Sequence, residues 1–239
     1  MDPDYKAKYA IHEATREGQV SLVESLLNAN PKLALLKDPD ERLAIHWAVA
    51  YNRLPIFELL VAVKDFDPDA TDASGWTPLM MAASLRDSEG DAMIEMLLRK
   101  DGDPNMKSVT GQNALHFATS KGNLSTVKIL LGAKCSARAV DSRGQLPLHR
   151  AAATGSVPIM KVLLDEGKSP LNTADVDGMT PLHHAVSEGH AEAAVLLLRL
   201  GADAGKRDKG GKLAIEMAPD SKVRKYILQA AEREGIRLP

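Results

Sequence analysis

Short apolar stretches recur along the chain at a nearly fixed interval, each opened by one small phrase. It reads Ala10-Ile11-His12-Glu13-Ala14, then Ala44-Ile45-His46-Trp47-Ala48, then Thr77-Pro78-Leu79-Met80-Met81-Ala82. It returns as Ala114-Leu115-His116-Phe117-Ala118, Pro147-Leu148-His149-Arg150-Ala151 and Thr180-Pro181-Leu182-His183-His184-Ala185, and fades at Ala214-Ile215-Glu216-Met217-Ala218. Counted at the position His holds in most copies, the steps are 34, 34, 36, 33, 34 and 33 residues. The copy from Asp141 to Val176 shows what each unit predicts. Asp141-Ser142-Arg143-Gly144 is a turn, with glycine available for a left-handed φ. Pro147 falls in the first turn of a helix, where its missing N–H costs nothing. Ala151, Ala152 and Ala153 are small enough for a neighbouring helix to approach, and Gly155 ends the element. A second helix opens at Val157-Pro158 and carries Ile159, Val162, Leu163 and Leu164 as an apolar stripe.

Neither helix buries its stripe alone, so each unit depends on its neighbours. Leu26-Leu27, Leu59-Leu60, Leu97-Leu98, Leu130-Leu131 and Leu197-Leu198 are the matching second-helix pairs. The third unit is longer, with the extra residues near Arg86-Asp87-Ser88-Glu89-Gly90, where a local bulge between its helices is expected. A period near 33 headed by T-P-L-H-x-A resembles the ankyrin repeat. The expectation is an all-α solenoid, one domain over 1–239, of seven helix-turn-helix units with projecting β-turn fingers and a concave groove. The units span approximately 5–37, 38–71, 72–107, 108–140, 141–174, 175–207 and 208–239.

Composition narrows the picture further. The chain has 239 residues, 44% hydrophobic but only 4% aromatic, which suits an Ala/Leu-packed helical stack. No apolar run reaches the roughly 18 residues of a membrane span, and the first eight residues carry no leader-like core. No membrane association is therefore expected. The single cysteine, Cys135, points to a reducing compartment, with cytoplasm and nucleus expected. The net charge of −2 hides an asymmetry: residues 1–120 hold 12 Lys+Arg against 19 Asp+Glu, and residues 121–239 hold 18 against 13.

Candidate chemistry is sparse. Five of the seven histidines, His12, His46, His116, His149 and His183, occupy one repeat position, where the ring can bond the backbone of its own or the next turn. Spaced one per unit, they form no zinc cluster. His190 follows Gly189 at an inter-helix turn, and His184 has neither a repeat-given role nor a partner at ligand spacing. Cys135 sits where a small buried residue belongs. No phosphate loop or nucleophile motif is present, so neither catalysis nor a cofactor is expected. Nucleic-acid binding is not expected either, because the basic half lacks interleaved aromatics.

The informative positions are those on which the repeat makes no demand: the turn residues around Gly and the residues after the Ala pair. They yield Asp40, Arg42 and Tyr51, then Trp76, Lys121, Arg143 and Gln145. Trp76 could also pack on Trp47 as a turn residue. Beyond the repeat itself, Lys37-Asp38-Pro39-Asp40-Glu41-Arg42-Leu43-Ala44-Ile45-His46-Trp47, Asp72-Ala73-Ser74-Gly75-Trp76-Thr77-Pro78-Leu79 and Leu148-His149-Arg150-Ala151-Ala152-Ala153 resemble the gankyrin family with its fungal counterparts. That resemblance implies a monomeric, non-catalytic assembly chaperone of the proteasome regulatory particle. Members cradle the C-terminal domain of one base-ring ATPase subunit in the concave face. It implies contacts at Asp40, Arg42, Trp76, Lys121 and Arg150. The L-x-C-x-E motif of animal members is missing, since Ala133 and Ala137 flank Cys135. The competing expectation is an ankyrin-repeat regulator of a kinase or transcription factor.

Overall fold

The computed structural model describes residues 8–239; residues 5–7 of the expected first unit lie outside them. The described residues form thirteen α-helices, three 3-10 segments and no strand longer than the isolated Arg207–Leu213 bridge. The helices come in pairs. They are α1 (Ala10–Glu17) with α2 (Val20–Ala29), α3 (Ala44–Ala50) with α4 (Leu54–Val61), and α5 (Pro78–Ala83) with α6 (Asp91–Arg99). Then follow α7 (Ala114–Lys121) with α8 (Leu124–Gly132), α9 (Pro147–Ala153) with α10 (Val157–Asp165), and α11 (Pro181–Ser187) with α12 (Ala191–Arg199). The last unit pairs a 3-10 turn, Ala214–Met217, with α13 (Ser221–Arg233).

The chain divides into two compact units, Met1–Val109 and Thr110–Pro239. In the first, α1 packs on α3 and α3 on α5, while α2, α4 and α6 form the second layer. In the second, α7, α9 and α11 continue into the 3-10 turn, and α8, α10, α12 and α13 lie behind them. The alanine phrase explains the front layer: Ala44, Ala48, Ala114, Ala118, Ala151, Ala152 and Ala185 have no exposed surface. Their short side chains let backbones approach. Behind them Phe57, Leu60, Leu97, Leu130, Leu163 and Leu197 fill the space between layers.

The repeat histidine locks one pair to the next. In His149, Nδ1 accepts the Leu146 N–H at 2.9 Å and Nε2 donates to the Thr173 carbonyl at 3.1 Å. His46 does the same with Leu43 and Ala70, His116 with Asn113 and Gln145, and His183 with Thr180 and Lys212. His12 donates to Leu36 and Arg42 but, among the described residues, its Nδ1 finds no partner. Tyr9 before it has ψ 26, whereas Leu43 before α3 is extended at ψ 164, so the amide that later units offer is turned away.

Two units depart from the plan. In the third, the added residues make a 3-10 turn, Arg86–Ser88, with Asp87 and Ser88 both left-handed at φ 51 and 60. Gly90 closes it: a Cβ there would lie 2.1 Å from the Ala82 carbonyl oxygen. In the seventh, the first helix shrinks to a single 3-10 turn. Pro219 follows directly, and the preceding Ala218 is extended at ψ 128, as a residue before proline prefers.

Burial and this wiring set the acid response. Burial, with His184 alongside, pushes His149 down from 6.5 to about 4, and burial lowers His12, His46 and His183 too. A neutral ring fits the wiring, because a proton on Nδ1 would face an amide hydrogen. Each folded value lies below the unfolded one, so the stabilisation is complete above pH 6.5 and lost as pH falls from there towards 4. Unfolding free energy measured by denaturant titration should fall across that window. His149→Gln should flatten the slope by up to one proton, about 1.4 kcal/mol per pH unit. An unchanged slope would remove His149 from the acid transition. Independently, Leu130→Ala should lower the unfolding free energy by about 2–5 kcal/mol, as truncation of a fully buried leucine does; a loss under 1 kcal/mol would contradict the close packing of α8.

Candidate partner-binding face

Five of the units, the second, third, fifth, sixth and seventh, open with a finger built on an aspartate; the fourth carries Ser108 there. In the fifth, Asp141 Oδ1 accepts the amides of Arg143 and Gln145, both at 2.9 Å, while the Gly144 N–H closes a β-turn onto the Asp141 carbonyl. Gly144 takes φ 73 to make that turn. Asp38, Asp72 and Asp175 hold their turns with the same pair of amides. Successive fingers are joined by one backbone bond each: Ala73 N–H to Asp40 O and Val109 N–H to Ser74 O in the first compact unit. Ser142 to Thr110, Val176 to Arg143 and Lys209 to Asp177 do so in the second.

In the first compact unit the fingers and α3 enclose an open pocket of about 590 Å³. Three expected residues meet there. The Arg42 guanidinium lies over the Trp47 ring at 5.8 Å, with Nε 3.7 Å from Asp72 Oδ2. Tyr51 stacks flat on the other aromatic partner of this site, Trp47, at 5.8 Å and 9°. Half-buried Trp76 lines the same pocket, whose apolar wall includes Met81 and Leu85. Asp40 stands on the exposed finger rather than among the lining residues. Trp47 belongs to the site although the sequence suggested it only as packing for Trp76. Its indole N–H donates to Asp38 Oδ2 at 2.8 Å, which fixes the ring.

The second compact unit carries the other three. Lys121 ends α7 beside Gly122 and is exposed. Arg143 stands exposed on its finger, 3.4 Å from Asp177 of the next. Arg150 is less available than expected: its guanidinium bonds Asp141 Oδ2 at 3.0 Å, against a carboxylate 3% exposed. One expectation needs correcting. Gln145 is not a surface residue but is 3% exposed, its amide donating to Asp175 Oδ2 at 2.9 Å. His184, to which the repeat gives no role, has Nε2 3.0 Å from that same oxygen. Burial alone would raise the Asp175 carboxyl, but Gln145, His184 and two backbone amides donate to it and hold it at about 2.

No group of three or more His, Cys, Asp or Glu suited to a metal ion occurs among the described residues, and no helix there is long and apolar enough to cross a membrane. Cys135 is buried. The face presents turn-mounted charges and, in the first compact unit, an aromatic pocket.

Comparison with known proteins agrees. The family profile described as ankyrin repeats (3 copies) matches residues 11–108, 45–139, 87–173 and 115–208. The chain is 35% identical over 228 residues to the probable 26S proteasome regulatory subunit p28 of Saccharomyces cerevisiae, spanning 93% of this chain and 98% of that one. It is 36% identical over 217 residues to an ankyrin repeat-containing protein of Schizosaccharomyces pombe, spanning 90% and 92%. Similarity to the nuclear factor NF-kappa-B p105 subunit of Gallus gallus is 27% over 191 residues and takes in only 19% of that protein. The chain belongs to the ankyrin-repeat family, a fold of protein-binding modules, and within it groups end to end with the yeast regulatory subunit p28.

Proposed function

We propose that the protein is a non-catalytic assembly chaperone of the 26S proteasome regulatory particle, acting in cytoplasm and nucleus. Its partner is the C-terminal domain of one base-ring ATPase subunit. The observation that carries this reading is the end-to-end match with yeast p28, 93% of one chain against 98% of the other. Shared repeats alone would align fragments, as with the p105 subunit, where 19% of the relative is covered. In this reading the seven units act as one array, and Asp40, Arg42, Tyr51, Trp76, Lys121, Arg143 and Arg150 contact the partner. Trp and Arg are the side chains that most often dominate an interface, and the Trp76–Arg42–Trp47–Tyr51 pocket is open to receive one from the partner.

The direct experiment is affinity capture from lysate with the whole chain. Base-ring ATPases should dominate the eluate; a kinase or transcription factor in their place would favour the competing class of ankyrin regulator. The face is tested by charge reversal. Lys121→Glu with Arg143→Glu should weaken binding to the isolated ATPase domain at least tenfold while the melting temperature holds, since both residues are exposed. Arg150→Glu is unsuited to that purpose, because it would set a second carboxylate against buried Asp141. The control is Lys128→Glu with Lys161→Glu on α8 and α10, also exposed. Equal effects of the two doubles would refute the assignment of the face.

Charge also predicts kinetics. Residues 1–120 carry seven more acidic than basic groups, and residues 121–239 five more basic than acidic. If these fields steer the partner, the association rate should drop severalfold between low and physiological ionic strength, with dissociation changing less. A stopped-flow on-rate indifferent to salt would show the asymmetry to be surface decoration.

A further inference from the structure

The finger aspartates do two jobs with two oxygens. One oxygen, Oδ1, holds the turn through backbone amides. In three of them the other, Oδ2, bonds a side chain nine residues later, the residue that follows the repeat histidine. Asp38 Oδ2 receives the Trp47 indole at 2.8 Å, Asp141 Oδ2 the Arg150 guanidinium at 3.0 Å, and Asp175 Oδ2 the His184 ring at 3.0 Å. Three chemically unrelated donors thus converge on one acceptor geometry. Where the same position holds Met81, which has no donor, Asp72 Oδ2 instead faces Arg42 of the preceding unit.

The turn itself uses only Oδ1. The second oxygen is buried and needs a donor, but nothing in the turn dictates which one. The second bond fixes the orientation of partly exposed side chains whose types differ from unit to unit. Trp47 is clamped between Tyr51 and Arg42 at the pocket of about 590 Å³. Arg150 keeps 30% of its side chain exposed and His184 15%, and the His184 bond uses Nε2 alone, leaving Nδ1 as the ring's other polar atom.

Resting on the partner reading above, we infer that the residue after the repeat histidine is a specificity position within each compact unit, Trp47 in the first and Arg150 with His184 in the second, with Asp38, Asp141 and Asp175 as positioning residues. The chemistry of these positions fits an acidic protein surface carrying apolar side chains: an indole platform and a guanidinium. Holding each donor in one rotamer reduces the entropy lost when the partner docks. None of the three aspartates needs to touch the partner for its loss to be felt.

Aspartate-to-asparagine substitution separates the two jobs. The amide oxygen still accepts the two turn N–H groups, while the NH2 that replaces Oδ2 cannot accept from Trp47, Arg150 or His184. Asp38→Asn, Asp141→Asn and Asp175→Asn should each weaken binding of the ATPase C-terminal domain about tenfold, a typical cost for losing one charge-assisted bond. The discriminating measurement is a double-mutant cycle. On an Arg150→Ala background Asp141→Asn should cost nothing further; Asp175, whose Oδ2 also takes the Gln145 amide, is read on a background carrying both His184→Ala and Gln145→Ala. A purely structural aspartate would cost the same on both backgrounds, and that result overturns the inference. A second arm needs no partner: the Trp47 indole N–H, followed by NMR hydrogen exchange, should exchange at least tenfold faster in Asp38→Asn while backbone amides of α3 keep their protection. An unchanged indole exchange rate would overturn the positioning role. Failure of the wild-type chain to bind the ATPase domain would sink the proposed partner, and the indole arm would then decide the positioning alone.

Discussion

The continuity of this fold rests on one imidazole in five of its seven units. A helix beginning in each unit has unsatisfied amides at its start, and a linker leaving that unit has carbonyls with no strand to pair with. The repeat histidine serves both. Its Nδ1 takes an amide at the head of its own helix, and its Nε2 reaches a carbonyl in the linker or finger that follows, as His149 does with Leu146 and Thr173. Fold continuity is therefore written in bonds to backbone, which any side chain at the intervening positions leaves intact. The same arrangement makes the ring neutral by necessity, so the protein's cohesion is tied to pH through groups that have no role in chemistry.

The fingers extend this logic. A finger has too few residues to form a sheet, and only one isolated bridge occurs among the described residues. Its shape comes from the aspartate carboxylate, a side chain that stands in for a missing strand by accepting two amides at once. The single backbone bond from each finger to the next then spaces the tips along each compact unit. The tips carrying Asp40, Arg42, Trp76 and Arg143 are thereby held at both ends.

Much of this was legible in the sequence. The period, the helix pairs, the histidine wiring and the place of the third-unit bulge all follow from local residue chemistry repeated in register. The conformation of the bulge did not: nothing in Arg86-Asp87-Ser88 announces two consecutive left-handed residues. The seventh unit's 3-10 turn could have been read from Pro219, but the worn phrase drew attention to Ala214 instead. At the site, Arg42, Tyr51 and Trp76 do meet, and Trp47 was undervalued because its partner Asp38 lies across a turn. Pairing between residues nine apart is invisible to helical or strand periodicity. Gln145 looks free for a further reason: its partner Asp175 stands in the next finger, 30 residues on.

Those oversights have one physical source. The repeat constrains backbone groups strictly and side chains loosely, so positions without a consensus read as surface. Yet an aspartate that spends one oxygen on its turn still carries a second, and a buried carboxylate oxygen left alone is costly. Asp38, Asp72, Asp141 and Asp175 are all under a tenth exposed, so each needs a donor there. Trp47, Arg150 and Gln145 with His184 are the donors found, and Arg42 stands 3.7 Å from the Asp72 oxygen as an ion pair. Their variety shows that the fold asks only for a donor and leaves its identity open.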